Sequence, residues 1–157
     1  MSDMKRKAIA AALAVALAAP AEGMRQWAYR DPVGVPTICF GATKGVRMGD
    51  HATIEECKAR LSAEMLQRID AVDRCAPGLP PHQLAAFADL AYNAGERVVC
   101  DPAYSTLARK LKQGDPLAAC AQISRWDKAR VAGVMVTLPG LSARRAEERQ
   151  LCERGVS

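Results

Sequence analysis

Glu22, Asp31 and Thr37 fall within a sixteen-residue stretch and bring two carboxyl groups and a hydroxyl to one region of the chain. Cleaving a glycosidic bond takes a protonated carboxyl that donates to the leaving oxygen, and a second group across the bond that activates water or attacks directly. Glu22 is a candidate donor because it stands where an apolar run ends, a setting in which desolvation favours a protonated carboxyl. Asp31 lies in a polar turn before Pro32 and suits the ionised partner. Thr37 follows on a β-branched stretch, where its hydroxyl could help hold a water. Residue types alone do not distinguish this set from a helix-end charge, a turn aspartate and a strand threonine.

The elements that must position these residues are legible from pattern. Residues 29–49 are rich in Gly, Pro and β-branched residues and predict turns and short strands. Thr53-Ile54-Glu55-Glu56 has the form of a capping box. Ile54, Cys57, Leu61, Met65, Ile69 and Val72 then recur at spacings of three and four, predicting one long amphipathic helix. Cys75-Ala76-Pro77-Gly78-Leu79-Pro80 ends it. Further helices are predicted over 81–93, 105–113, 116–126 and 142–152, punctuated by Gly95, Gly114 and Pro139-Gly140. The expected fold class is α+β, mostly α, with a small β-hairpin lobe, a long connecting helix and a helical lobe.

A chain of 157 residues with 25% charged residues suits one globular domain or two small lobes. The net charge of +5 suits an anionic partner. Aromatic residues make up only 4% and none is interleaved with a basic stretch, so no nucleic-acid partner is expected.

Lys5-Arg6-Lys7 precedes an uncharged, alanine-rich run from Ala8 to Ala21, the layout of an export signal. At ~1.5 Å per residue the run covers about 21 Å, short of the ~30 Å of a bilayer core. Cleavage after Ala21 would place a positive α-amine beside Glu22, which favours the wrong protonation state for a donor. The alternative is a segment that exports and tethers the protein, then leaves the membrane and packs as the first helix, since alanine is the best helix former.

Six cysteines, Cys39, Cys57, Cys75, Cys100, Cys120 and Cys152, include no CxxC, and no histidine sits at zinc-ligand spacing, so no metal is expected. Three disulfides in an exported protein fit them better than six free thiols. The sequence does not choose among the pairings; nearest neighbours, Cys39–Cys57, Cys75–Cys100 and Cys120–Cys152, are the expectation.

Spacing and setting add specificity. Glu22-x8-Asp31-x5-Thr37, with Gly23 after the glutamate, Tyr29-Arg30 before the aspartate and Gly41 beyond the threonine, closely resembles phage-type lysozymes of glycoside hydrolase family 24. The likeness continues through Glu56-Cys57, Ala91-Tyr92-Asn93-Ala94-Gly95, Ser105-Thr106-Leu107, the stretch from Ala119-Cys120 to Arg125-Trp126, and Gly140-Leu141 with Arg144-Arg145. The N-terminal run resembles that of the signal-anchor-release endolysins in this family.

That resemblance implies a lysozyme-like fold in which residues 1–21 form a signal or signal-anchor-release segment and residues 22–157 the catalytic domain. It implies hydrolysis of the β-1,4 bond between N-acetylmuramic acid and N-acetylglucosamine in peptidoglycan, with inversion, leading to wall breakdown and host lysis. Glu22 would be the general acid, Asp31 the water-orienting carboxylate and Thr37 the hydroxyl beside the attacked carbon. Arg144, with Arg145 close behind, is the candidate for the arginine that members keep near the glutamate. Tyr92 and Asn93 are expected to shape the cleft wall and Trp126 to sit in the core; His51 and His82 have no catalytic role.

No cofactor is expected. The implied setting is a monomer in the periplasm of a Gram-negative host, transiently tethered to the inner membrane. The rivals are a lytic transglycosylase, which the Asp31–Thr37 pair argues against, and a non-catalytic, membrane-permeabilising wall-binding protein acting through the basic Arg144–Arg149 helix. Two features depart from the better-known relatives. Almost no linker separates the apolar run from Glu22, and Cys75 and Cys100 look like an additional pair bracketing the helix that carries Tyr92 and Asn93.

Overall fold

A computed structural model describes residues 1–154. The first helix, α1 (Asp3–Glu22), begins with the Ser2 side chain accepting from the Lys5 N–H and takes in the whole cationic flank. Its deepest residues are alanines, Ala10, Ala11, Ala14 and Ala18. The bulkier Ile9, Leu13, Val15 and Leu17 are only half buried. Small residues on the inner face let α1 lie close against the central helix, which is itself rich in alanine. Arg6 fastens the start of α1 to the body, donating to Asp73 at 2.8 Å and to the Leu79 carbonyl at 2.8 Å. Lys7 reaches Asp70 at 3.1 Å. Among the described residues no helix is long and apolar enough to cross a membrane.

Gly23, at φ 68°, turns the chain out of α1 into β1 (Arg25–Arg30), which pairs antiparallel with β2 (Pro36–Cys39). The register places Tyr29 opposite Thr37 and is irregular between Arg25 and Tyr29. A long helix, α2 (Ile54–Cys75), carries the predicted capping box, with the Thr53 side chain accepting from Glu56 N–H and the Glu56 side chain accepting from Thr53 N–H. Cys57, Leu61, Met65, Ile69 and Val72 are buried as their spacing predicts. Ile54 is not: at the first helical position it is exposed.

Next come α3 (Pro81–Ala94) and α4 (Glu96–Cys100), then α5 (Thr106–Lys112), α6 (Pro116–Gln122) and a single 3-10 turn at Ile123–Arg125. Every residue of α3 from Gln83 to Ala91 is buried, since α1, α2 and α7 all pack on it. The helical lobe is completed by a hairpin, β3 (Lys128–Val131) and β4 (Val134–Thr137), and by α7 (Pro139–Arg154). Disulfides join Cys39 to Cys57, Cys75 to Cys100 and Cys120 to Cys152. They tie β2 to α2, α2 to α4 and α6 to α7.

The main differences from expectation are two helix boundaries and one hairpin. The helix predicted over 116–126 ends at Gln122 and tightens into the 3-10 turn. The last helix starts at Pro139 rather than Ser142, because proline at a first helical position loses no hydrogen bond and arrives with φ preset. The β3–β4 hairpin was not expected. Its turn residues Ala132 and Gly133 both have positive φ, 50° and 82°, the two-residue geometry whose twist matches paired strands. Alanine there hides the usual Asn-Gly or Gly-Gly signal.

Candidate active site

The last residue of α1 is Glu22, and the helix aims its carboxyl at the junction of two cavities, of about 470 Å³ and 570 Å³. One is walled by Gly41 to Lys44, by Glu64 and Arg68 of α2, and by Tyr92. The other lies between the end of α1, Leu138 and the first turns of α7. Glu22 and Asn93 border both.

The surroundings of Glu22 are not the apolar pocket that the end of an alanine run suggests. Oε1 accepts from Arg144 Nη1 at 2.7 Å. On the other side Gly41, at φ 89°, comes so near that a Cβ there would lie 3.3 Å from Oε2. That approach is set by a tight turn, in which Ile38 and Ala42 exchange both backbone hydrogen bonds at 2.9 Å. Any side chain at residue 41 would meet both the backbone strain and the carboxylate.

Arg144 projects from α7 and is nearly buried. Its Nε and Nη2 donate side-on to Asp89 at 3.1 and 2.8 Å, leaving Nη1 for Glu22. Burial works against the Arg144 charge, but Asp89 and then Glu22 outweigh it and hold the guanidinium protonated well above its usual range. Arg145 does not reach Glu22. It is buried with Glu148, donates to Asn93 Oδ1 at 2.8 Å and reaches the Trp126 carbonyl at 3.3 Å. Burial, and next a hydrogen bond with Asp89, push the Glu148 carboxyl up, against the pull of Arg145, which lies 2.7 Å from each of its oxygens.

The Tyr92 hydroxyl lies 3.3 Å from the Phe40 carbonyl and 3.2 Å from Glu64 Oε2, and can donate to one at a time. Burial, with the charges of Glu64 and Glu22 adding, pushes this phenol well above its ordinary range, so it acts as a neutral donor. Trp126 packs against the core beside Tyr104. The His51 ring lies tilted by 55° against that of Trp27, with 4.5 Å between ring centres.

Asp31 and Thr37 form a second group on the β1–β2 hairpin and line neither of the two cavities. Asp31 Oδ1 accepts from the Val33 and Val35 N–H groups at 3.0 and 2.8 Å. The Thr37 hydroxyl, almost fully buried, donates to the Val35 carbonyl at 2.8 Å. Val35 therefore pins both side chains. Among the described residues nothing donates to Asp31 Oδ2, and the Thr37 oxygen keeps its acceptor lone pairs.

Sequence reasoning missed Asp89, Glu148 and Glu64. The first left a signal, a single acid inside the apolar run Leu84-Ala85-Ala86-Phe87-Ala88-Asp89-Leu90. An acid buried on such a helix must have a partner.

Solved structures with this architecture include phage endolysins and the muramidase domain of SpmX from Asticaccaulis excentricus. The latter superposes with a TM-score of 0.77 at 27% identity, over 90% of this chain and 92% of that one. The endolysin from Escherichia coli O157:H7 phage FAHEc1 superposes with a TM-score of 0.79 at 26% identity, over 99% of this chain and 97% of that one. The active form of the P1 phage endolysin Lyz gives a TM-score of 0.78 at 25% identity, over 91% of this chain and 84% of that one. The fold and these relatives make this chain a glycoside hydrolase of the lysozyme class. More specifically, the chain belongs to the phage lysozyme family, whose model matches residues 19–148. It is also 37% identical over 151 residues to the SAR-endolysin of Pseudomonas phage phiKMV, covering 95% of this chain and 90% of that protein.

Proposed function

We propose that the protein is an endolysin that hydrolyses the β-1,4 bond between N-acetylmuramic acid and N-acetylglucosamine in peptidoglycan, acting as a monomer. Glu22 protonates the leaving oxygen, and Asp31 and Thr37 orient a water on the opposite face of the sugar, giving inversion. The observation that carries this reading is the placement of Glu22 where two cavities meet, with one carboxylate oxygen on Arg144 and the other turned to a glycine. Asp31 and Thr37 support it because each is immobilised through Val35 yet keeps free acceptor capacity. The net charge of +5 favours adsorption to anionic wall polymer.

The products decide between hydrolysis and transglycosylation. Digestion of purified peptidoglycan in ¹⁸O-labelled water is expected to give reducing-end muropeptides carrying one heavy oxygen, read by mass spectrometry. Anhydro ends without label would overturn the proposal.

The same reading covers location. The enzyme is exported to the periplasm of a Gram-negative host, held at the inner membrane by residues 1–21, and becomes active when α1 leaves the bilayer and docks as the first helix. The SAR-endolysin name of the phiKMV relative and the burial of the α1 alanines support it. A depolarising agent is expected to move the protein from the membrane to the soluble fraction and to raise wall-degrading activity with it. Equal specific activity in both fractions would sink this part.

A further inference from the structure

Asp89 is fully buried near the middle of α3, and both of its oxygens are engaged side-on by Arg144. The same guanidinium makes one contact with Glu22. An arginine facing Glu22 alone would hold that carboxyl ionised, the wrong state for a proton donor. We propose that Asp89 is a positioning residue for Glu22: by engaging Nε and Nη2 of Arg144 it matches the guanidinium's charge before Glu22 meets it, and it holds Nη1 toward Glu22. This rests on the reading of Glu22 as the acid.

The geometry favours that division. Arg144 is bidentate on a carboxylate with no exposure, whereas its contact with the partly exposed Glu22 is through a single N–H. Glu148 is taken up by Arg145, 2.7 Å from each of its oxygens, and lies 3.9 Å from Arg144 Nε, so Asp89 is the carboxylate that Arg144 meets with two hydrogen bonds. Other charges around Glu22 do not substitute for Asp89. On α7, Glu147 borders the second cavity and Arg145 is committed to Glu148 and Asn93. Across the first cavity stand Lys44, Glu64 and Arg68, with Arg68 paired to Glu96 at 2.6 Å and Glu64 beside the neutral Tyr92 hydroxyl.

Asp89→Asn keeps shape but removes the matching charge. The expected result is an alkaline limb of kcat/KM displaced to lower pH by about one unit, since an opposite charge at this range moves a carboxyl by about one unit or more. Near neutral pH kcat falls about tenfold while KM stays within about twofold. If Asp89 were merely structural, activity would fall by one factor at every pH with the limb unmoved, which would overturn the proposal. Should D89N fail to fold, nitrogen-15 NMR of the parent protein decides. The Arg144 Nε–H is expected to stay slowly exchanging and unshifted as pH crosses the alkaline limb. Its release there would overturn the proposal too. Activity retained by Glu22→Gln would instead remove the reading of Glu22 on which this one stands.

Discussion

Glu22→Gln is expected to lower the rate of peptidoglycan clearing by about 10³-fold, within the 10²–10⁴ that a positioned acid contributes. The substitution should leave the fold in place. Glutamine has the same shape, and its carbonyl oxygen can still accept from Arg144 Nη1, now held 2.7 Å from Glu22 Oε1. Arg144 also keeps its two bonds to Asp89, so no buried charge is stranded. Circular dichroism and the unfolding midpoint should therefore match the parent while turbidity clearing is lost. Lysis that survives the substitution would move the activity away from the cleft and toward the membrane, but not through Arg144 and Arg145, which are buried.

What the sequence conveys about this site follows the range of the interactions. Glu22, Asp31 and Thr37 lie close in the chain, so their spacing alone carries a pattern, and the Asp31 turn is built from its own neighbours Val33 and Val35. The capping box of α2 is likewise local and appears as predicted. Arg144 lies 122 residues from Glu22, and only the family resemblance, no local feature, points to it. Asp89 meets Arg144 across 55 residues, and no periodicity encodes that contact. Only the cost of burying a lone acid in an apolar helix points to it.

The interior of α1 illustrates a different limit. Hydropathy would bury Leu13, Val15 and Leu17 and leave alanine at the rim, but the structure sends Ala10, Ala14 and Ala18 inward. Closeness of approach to α3, not side-chain size, selects the buried face. A helix whose bulky apolar residues remain partly outside, and whose inner face is methyl groups, is poorly committed to either water or core. That is consistent with a segment that must also be accepted by a bilayer. The ion pairs of Arg6 and Lys7 add a polar fastening that exists only when the helix is docked.

Removing residues 1–21 is therefore expected to unfold the protein rather than to mature it. Chain starting at Glu22 would lose the inner face of α1, and four buried alanine methyls alone amount to about 3 kcal/mol at ~0.8 kcal/mol each. The larger loss is on the other side, where α3, now covered on every face, would expose apolar surface along its length. Asp73 would lose Arg6, and the Leu79 carbonyl would lose its donor. Against a total stability of about 5–15 kcal/mol for a domain, these losses leave little or nothing. The truncated protein should show no cooperative thermal transition and less than about a hundredth of the parent's activity, because Glu22 would also lack the helix that aims it. Three disulfides would still restrict the unfolded chain, so a residual compact state is compatible with this outcome. A truncated protein that melts cooperatively near the parent temperature and clears peptidoglycan normally would instead make residues 1–21 a removable signal, and the docked α1 dispensable for the cleft.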